Sequence, residues 1–276
     1  HDALPICPEF ISCAEKLQVG HPPGAPFYML VGNLFTQFAS DASQVSGMVN
    51  FLNALLSAGC ILFLFWSITR LVRALLVGDE RKLSVMDVII ILGAGFVGAL
   101  AYTFSDTFWF SAVEGEVYAF SSFLTALVFW MILRWQDESD SVYGDRWIIL
   151  IAFIIGLSIG VHLLNLLCIP AIVLVFYYQK YHAISFKGVA AAIVISGLLI
   201  VFILFVYIPG IADMGGWFEL LFVNVFGLPF HTGLIVFLTL TFLHSFNKFP
   251  CLSIKNVERT IPIYSLPIIF LSCQTP

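Results

Sequence analysis

The chain has 276 residues, 60% hydrophobic and only 11% charged, with a mean hydropathy of +0.99 and a formal net charge of −5. Soluble domains carry roughly 45–50% apolar and about 25% charged residues, so an ordinary soluble domain is excluded and lipid must be the solvent for much of the chain. In such a protein the distribution of charge across the bilayer matters more than its sum, and no nucleic-acid partner is expected.

The start, His1-Asp2-Ala3-Leu4-Pro5, has neither an initiator Met nor a basic-then-apolar signal peptide, and predicts a chain that begins mid-protein, after a first transmembrane helix. Residues 1–49 are predicted to form a non-cytoplasmic first loop with short interfacial helices. In it, an amphipathic helix carrying Glu9 leads to Gly20, and His21-Pro22-Pro23-Gly24 then makes a rigid turn, because each proline fixes φ and forces its predecessor extended. Such a turn holds the His21 side chain at the membrane surface. A plainer reading is that it ends one interfacial helix and starts another at Phe27-Tyr28-Met29-Leu30. Of the cysteines, only Cys7 and Cys13 are candidates for a disulfide, and the reading preferred over it is two ordinary thiols.

A bilayer core of ~30 Å needs helices of about 17–25 apolar residues. Such stretches follow at 50–76, 84–104, 113–134, 147–162, 164–179, 187–208 and 232–247, with 261–271 a weaker eighth. The fourth and fifth nearly join, broken around His162 to Asn165, which reads as a tight re-entry at one face. Gly93, Gly95 and Gly98, and Gly156 with Gly160, offer small faces for close helix contact. The fold class is thus an all-α, polytopic transmembrane helix bundle over 50–247, followed by an atypical tail, 248–276, that predicts truncation at this end also.

Lys and Arg are retained in short cytoplasmic loops. Arg70, Arg73, Arg81, Lys82, Arg134, Arg146, Lys180, Lys187, Lys248, Lys255 and Arg259 all fall on one face when seven spans are threaded alternately. That leaves Lys16 as the single cation of the twelve on the other face. Residues 1–49 and the loops around 105–112, 162–165 and 209–231 are then expected on the outer face, which instead gathers acids and histidines against apolar and aromatic neighbours.

Three outer segments carry groups suited to chemistry. The first holds Glu9 and the His21-Pro22-Pro23 turn. The second, Ser105 to Tyr118, sets Asp106, Glu114 and Glu116 at the entrance to an apolar span, where an ionisable group is costly and suggests function. On a helix, Glu114 and Glu116 would point about 200° apart. Trp109 and Tyr118 are either interfacial belt residues or stacking surfaces for a sugar. The third is Gly160-Val161-His162-Leu163-Leu164-Asn165, in which His162 is either a structural group or part of a site. No phosphate loop, HExxH, GxSxG or zinc-like Cys/His cluster is present in the sequence; no metal ligand is assigned, and a divalent metal on the outer carboxylates stays open.

Together these segments resemble an uncharacterised bacterial membrane family common in Bacteroidetes, related to a eukaryotic transmembrane protein O-mannosyltransferase. The residues that carry the likeness are Glu9-Phe10-Ile11, His21-Pro22-Pro23-Gly24-Ala25-Pro26, Ala112 to Ala119 with Glu114-Gly115-Glu116, and Gly160 to Asn165. The acid followed by a His-Pro-Pro turn is similar to the first outer loop of classical protein O-mannosyltransferases of the GT-C superfamily. The resemblance implies a GT-C-like bundle in a bacterial inner membrane, with a periplasmic site. There a sugar would pass from a polyprenyl-phosphate-linked donor to a protein or glycan hydroxyl. It implies Glu9, Glu114, Glu116 and Asp106 as catalytic carboxylates, one of them, Glu9 foremost, the general base. It implies His21, Pro22, Pro23, Trp109, Tyr118, His162 and Asn165 as substrate-binding. Ile6 stands where the family pattern usually has Asp. A transporter or flippase, and a catalytically degenerate membrane scaffold, are the alternatives.

Overall fold

The structure, a computed structural model, describes residues 6–21, 24–77, 83–139, 141, 144–181 and 183–248. The expectations placed on Pro22, Pro23, Arg81, Lys82, 249–276 and the eighth stretch lie outside these residues. Among the described residues the secondary structure is helical, with no strand. The chain divides into two compact units, His1–Ile200 and Val201–Pro276.

The first unit opens with α1 (Ile6–Lys16) and α2 (Pro26–Thr36). Leu17 in the left-handed region, φ 48, ends α1, and the Gln18 N–H turns back to the Cys13 carbonyl at 2.9 Å. Asn33 of α2 donates from Nδ2 to the carbonyls of Ala14 (2.9 Å) and Glu15 (3.0 Å), so two orphan acceptors at the end of α1 are met by its neighbour. Close approach there is possible because Gly32 faces Ala14.

After an Asp41-capped turn come α3 (Val45–Leu76), α4 (Val85–Thr103), α5 (Asp106–Val113) and α6 (Val117–Glu138). Ser84 and Asp87 form a reciprocal capping box at the start of α4. Then follow α7 (Gly144–Ile159), a 3₁₀ turn Leu163–Leu167, α8 (Cys168–Lys180) and α9 (Phe186–Phe202). α6 is the central helix, lying against α3, α7 and α8, while α4 packs on α3. The α4 contact runs over Gly95, against Phe65 and Thr69, and Gly98, against Ile68, whereas a Cβ at Gly93 or Gly156 would meet nothing within 4 Å.

Five helical runs are long and apolar enough to cross a bilayer: 42–76, 85–103, 117–138, 163–180 and 186–225. Residues 146–159 and 232–244 form shorter apolar helices. All seven expected spans therefore fall on apolar helices, and the chain is an integral membrane protein.

The sequence departs from the structure at 209–231, expected as an outer loop. α9 continues through a π-helical turn, Ile203–Tyr207, into α10 (Ile208–Leu220) and a second π-helical turn, Leu221–Val225. A proline inside a helix removes one hydrogen bond and crowds the carbonyl four residues back. The widened turn immediately before Pro209 relieves that conflict, so the helix survives. In the second unit, α10 packs antiparallel on α11 (Thr232–Lys248), with Gly215 against Phe237 and Leu234. The Glu219 carboxylate accepts from the Leu234 N–H (2.9 Å) and the His231 N–H, capping α11.

Candidate functional site

The first loop is organised by Glu9. One carboxylate oxygen accepts the backbone N–H of His21 at 2.7 Å, and the other meets the ring Nδ1 at 3.0 Å. These bonds, the backbone one foremost, hold the Glu9 carboxyl below the usual carboxylate range. The His21 ring lies 5.8 Å from Phe10, which in turn packs edge-on against the fully buried Tyr28. Beyond the turn the backbone reverses through Gly24 (φ 92) and Ala25 (φ 43); a non-glycine residue there stores strain of order 1–2 kcal/mol.

Within the second segment, the link from Glu114 to Glu116 is extended rather than helical. Glu114 closes α5 and Glu116 precedes α6, both with β-region dihedrals, so the expected helical spacing of these two acids does not apply. The link is held from α3 by Asn53, which is fully buried and donates from Nδ2 to the carbonyls of Glu116 (3.0 Å) and Glu114. Gly115 lets α1 come close: a Cβ there would sit 2.9 Å from Ile11. Burial, and then the neighbouring charge of Glu114, push the Glu116 carboxyl up.

The third segment begins where α7 ends. The Gly160 carbonyl accepts the Phe27 N–H at 2.7 Å, and a Cβ on Gly160 would lie 2.9 Å from that of Phe27, so only glycine allows α2 this approach. His162 caps the following 3₁₀ turn: its Nδ1 accepts the Leu164 N–H at 3.1 Å. An accepting Nδ1 leaves Nε2 to carry the proton of the neutral ring. The Tyr118 ring is 5.6 Å away.

The three segments meet in a cavity of about 130 Å³, lined among others by Phe10, His21, Glu116, Tyr118 and His162. Glu9 stands behind His21. Glu114 does not line the cavity and enters the site through its backbone tie to Asn53. Asp106 is exposed in the first turn of α5, and Trp109 stacks on Phe104 away from the cavity. Asn165 is fully buried, accepts from the Thr125 hydroxyl and joins the third segment to α6. Sequence reasoning missed Asn53; its signal is an amide inside an otherwise apolar run. Among the described residues no three His, Cys, Asp or Glu side chains gather as a metal site.

Fold and site together define an integral membrane helix bundle with a small, mainly apolar cavity whose walls include one carboxylate and two imidazoles among aromatic rings. The chain belongs to the family of the protein O-mannosyl-transferase TMEM260 N-terminal domain, whose family model matches residues 7–185 and so includes every residue of that cavity. It is 27% identical over 151 residues to the protein O-mannosyl-transferase TMEM260 of Mus musculus, covering 55% of this chain and 19% of that protein. It is 22% identical over 124 residues to the corresponding protein of Dictyostelium discoideum, covering 45% and 13%. The chain thus spans less than a fifth of the length of these curated relatives. No solved structure matches it.

Proposed function

We propose that this chain is the catalytic-end portion of a GT-C-type membrane glycosyltransferase. It would transfer a sugar, mannose by analogy with the relatives' names, from a polyprenyl-phosphate-linked donor to a protein or glycan hydroxyl. The observation that carries the reading is the convergence of three segments, far apart in sequence, on one cavity containing the raised-pKa carboxylate of Glu116. In the reaction a carboxylate accepts the acceptor's hydroxyl proton, the oxygen bonds to the anomeric carbon, and the sugar–phosphate bond breaks to release polyprenyl phosphate.

The roles divide by environment. Glu116 lines the cavity and has the higher affinity for a proton, which suits the general base. Glu9 has its oxygens engaged by His21, which suits a positioning residue that fixes the imidazole. Phe10, Tyr118 and His162 offer ring faces to the sugar. The cavity lies at the end of α6 opposite Arg134, and the retention of cations on the cytoplasmic side supports a site on the non-cytoplasmic face, the periplasmic one in the bacterial inner membrane that the family resemblance implies.

The test is transfer from polyprenyl-phosphate mannose to a hydroxyl acceptor by purified full-length protein in lipid nanodiscs. Glycosylated acceptor is the expected product. Native protein that binds the donor but yields no product would overturn the reading.

A further inference from the structure

Further along α6, about 20–25 Å from Val117 at the helical rise, lies a second cavity, of about 460 Å³, between α3, α4, α6 and α7. Its walls include Trp66, Arg70, Arg73, Trp130, Arg134 and Trp147. We propose that this cavity binds the headgroup of an anionic phospholipid, independently of what the first cavity does.

The geometry is that of a built site. Arg70 is held in a two-point ion pair with Asp137, its Nε at 2.8 Å from one carboxylate oxygen. Arg134 pairs with Glu138 at 2.8 Å, and the same carboxylate accepts Trp147 Nε1 at 2.8 Å. These contacts tie the ends of α3, α6 and α7 together and fix two guanidinium groups and one indole at the cavity wall. Arg73 forms no ion pair among the described residues. Among the described residues, the three guanidinium groups at the cavity wall and the two carboxylates paired with them leave one positive charge, which the single negative charge of a phosphodiester balances.

Two features favour a lipid over a soluble anion. The three indoles pack on one another, Trp66 to Trp130 at 5.7 Å and Trp130 to Trp147 at 6.2 Å, beside the guanidinium groups, and tryptophans are the residues that membrane–water interfaces favour. Around them Leu75, Ile89 and Ile90 expose apolar surface, so an acyl chain can lie along the bundle while its headgroup enters between the helices. Basic pockets between transmembrane helices recognise anionic headgroups by this combination.

The test uses the full chain, delipidated in neutral detergent and titrated with phosphatidylglycerol, phosphatidylcholine or inorganic phosphate, read by native mass spectrometry and thermal shift. Phosphatidylglycerol should bind and raise the melting temperature, and the other two should not. R73Q should weaken phosphatidylglycerol binding about fivefold, the equivalent of the ~1 kcal/mol that one juxtamembrane cation contributes. R73K, and K180Q outside the cavity, should bind as the native chain does. The lipid-free melting temperature shows that each variant is folded. Equal binding of both lipids, an unaffected R73Q, or inorganic phosphate binding as tightly as phosphatidylglycerol would each overturn the proposal; R73K covers the case of R73Q failing to fold, since its loss of binding would do the same.

Discussion

Asn53 offers the most informative perturbation, because one buried amide positions the link that carries Glu116. Asn53→Leu keeps the γ-branched shape at a larger volume and removes the donor, leaving the carbonyls of Glu114 and Glu116 without it. An unsatisfied buried polar group costs about 1–3 kcal/mol, while hydrogen bonds between transmembrane helices average only about 0.6 kcal/mol because alternative partners exist. Asn53 is fully buried, but the Glu114 carbonyl keeps the Glu116 N–H at 2.9 Å, so the loss is that of a net hydrogen-bond contribution, about 1 kcal/mol. The consequence for chemistry is larger, since displacing a reacting group by about 1 Å can cost on the order of 10²-fold in rate. Thermal unfolding in detergent measures the first effect and the separation of kcat from KM in a transfer assay the second, with kcat expected to fall. Native stability together with native kcat in Asn53→Leu would refute the positioning role.

Three further outcomes follow from the site. Because burial and Glu114 raise the Glu116 pKa, the base form is populated only above the ordinary carboxylate range near pH 4.3, and transfer should climb with pH accordingly; Glu114→Gln should move that limb to lower pH in a rate profile. Glu9 behaves oppositely: its depressed folded-state pKa stabilises the fold above the unfolded value of about 4.3, and that gain is lost as pH falls through the folded value. The melting-temperature gap between native protein and Glu9→Gln should therefore shrink on acidification. Gly160→Ala drives a methyl to within 2.9 Å of Phe27 and should cost about 1–3 kcal/mol on thermal unfolding, while Gly156→Ala, which meets nothing, should be neutral.

Much of the fold is legible in the sequence because lipid imposes simple rules. Apolar runs of bilayer length mark α3, α4, α6, α8 and α9, and the break at His162 is visible as a pause in hydropathy that becomes a capped 3₁₀ turn. The first loop's two helices are readable from the amphipathic run that carries Glu9 and from the apolar run that begins at Phe27. What the sequence hides depends on long-range contacts. Pro209 and the Gly and Asp residues after it read as a loop, yet a π-helical turn absorbs the proline and the helix runs on to Val225. The acids at 114 and 116 differ in role because Asn53, about sixty positions away, fixes their backbone while burial acts on Glu116. Asp106 and Trp109 lie near them in sequence, but α5 turns both to the surface.

The most direct test compares single-turnover sugar transfer by the full-length protein in nanodiscs with that of Glu116→Gln and Glu9→Gln, all confirmed as folded. Loss of the general base should lower the Glu116→Gln rate by about 10²–10⁴-fold, with Glu9→Gln less affected. A Glu116→Gln protein that transfers at the native rate would contradict the assignment of this cavity as the site of chemistry.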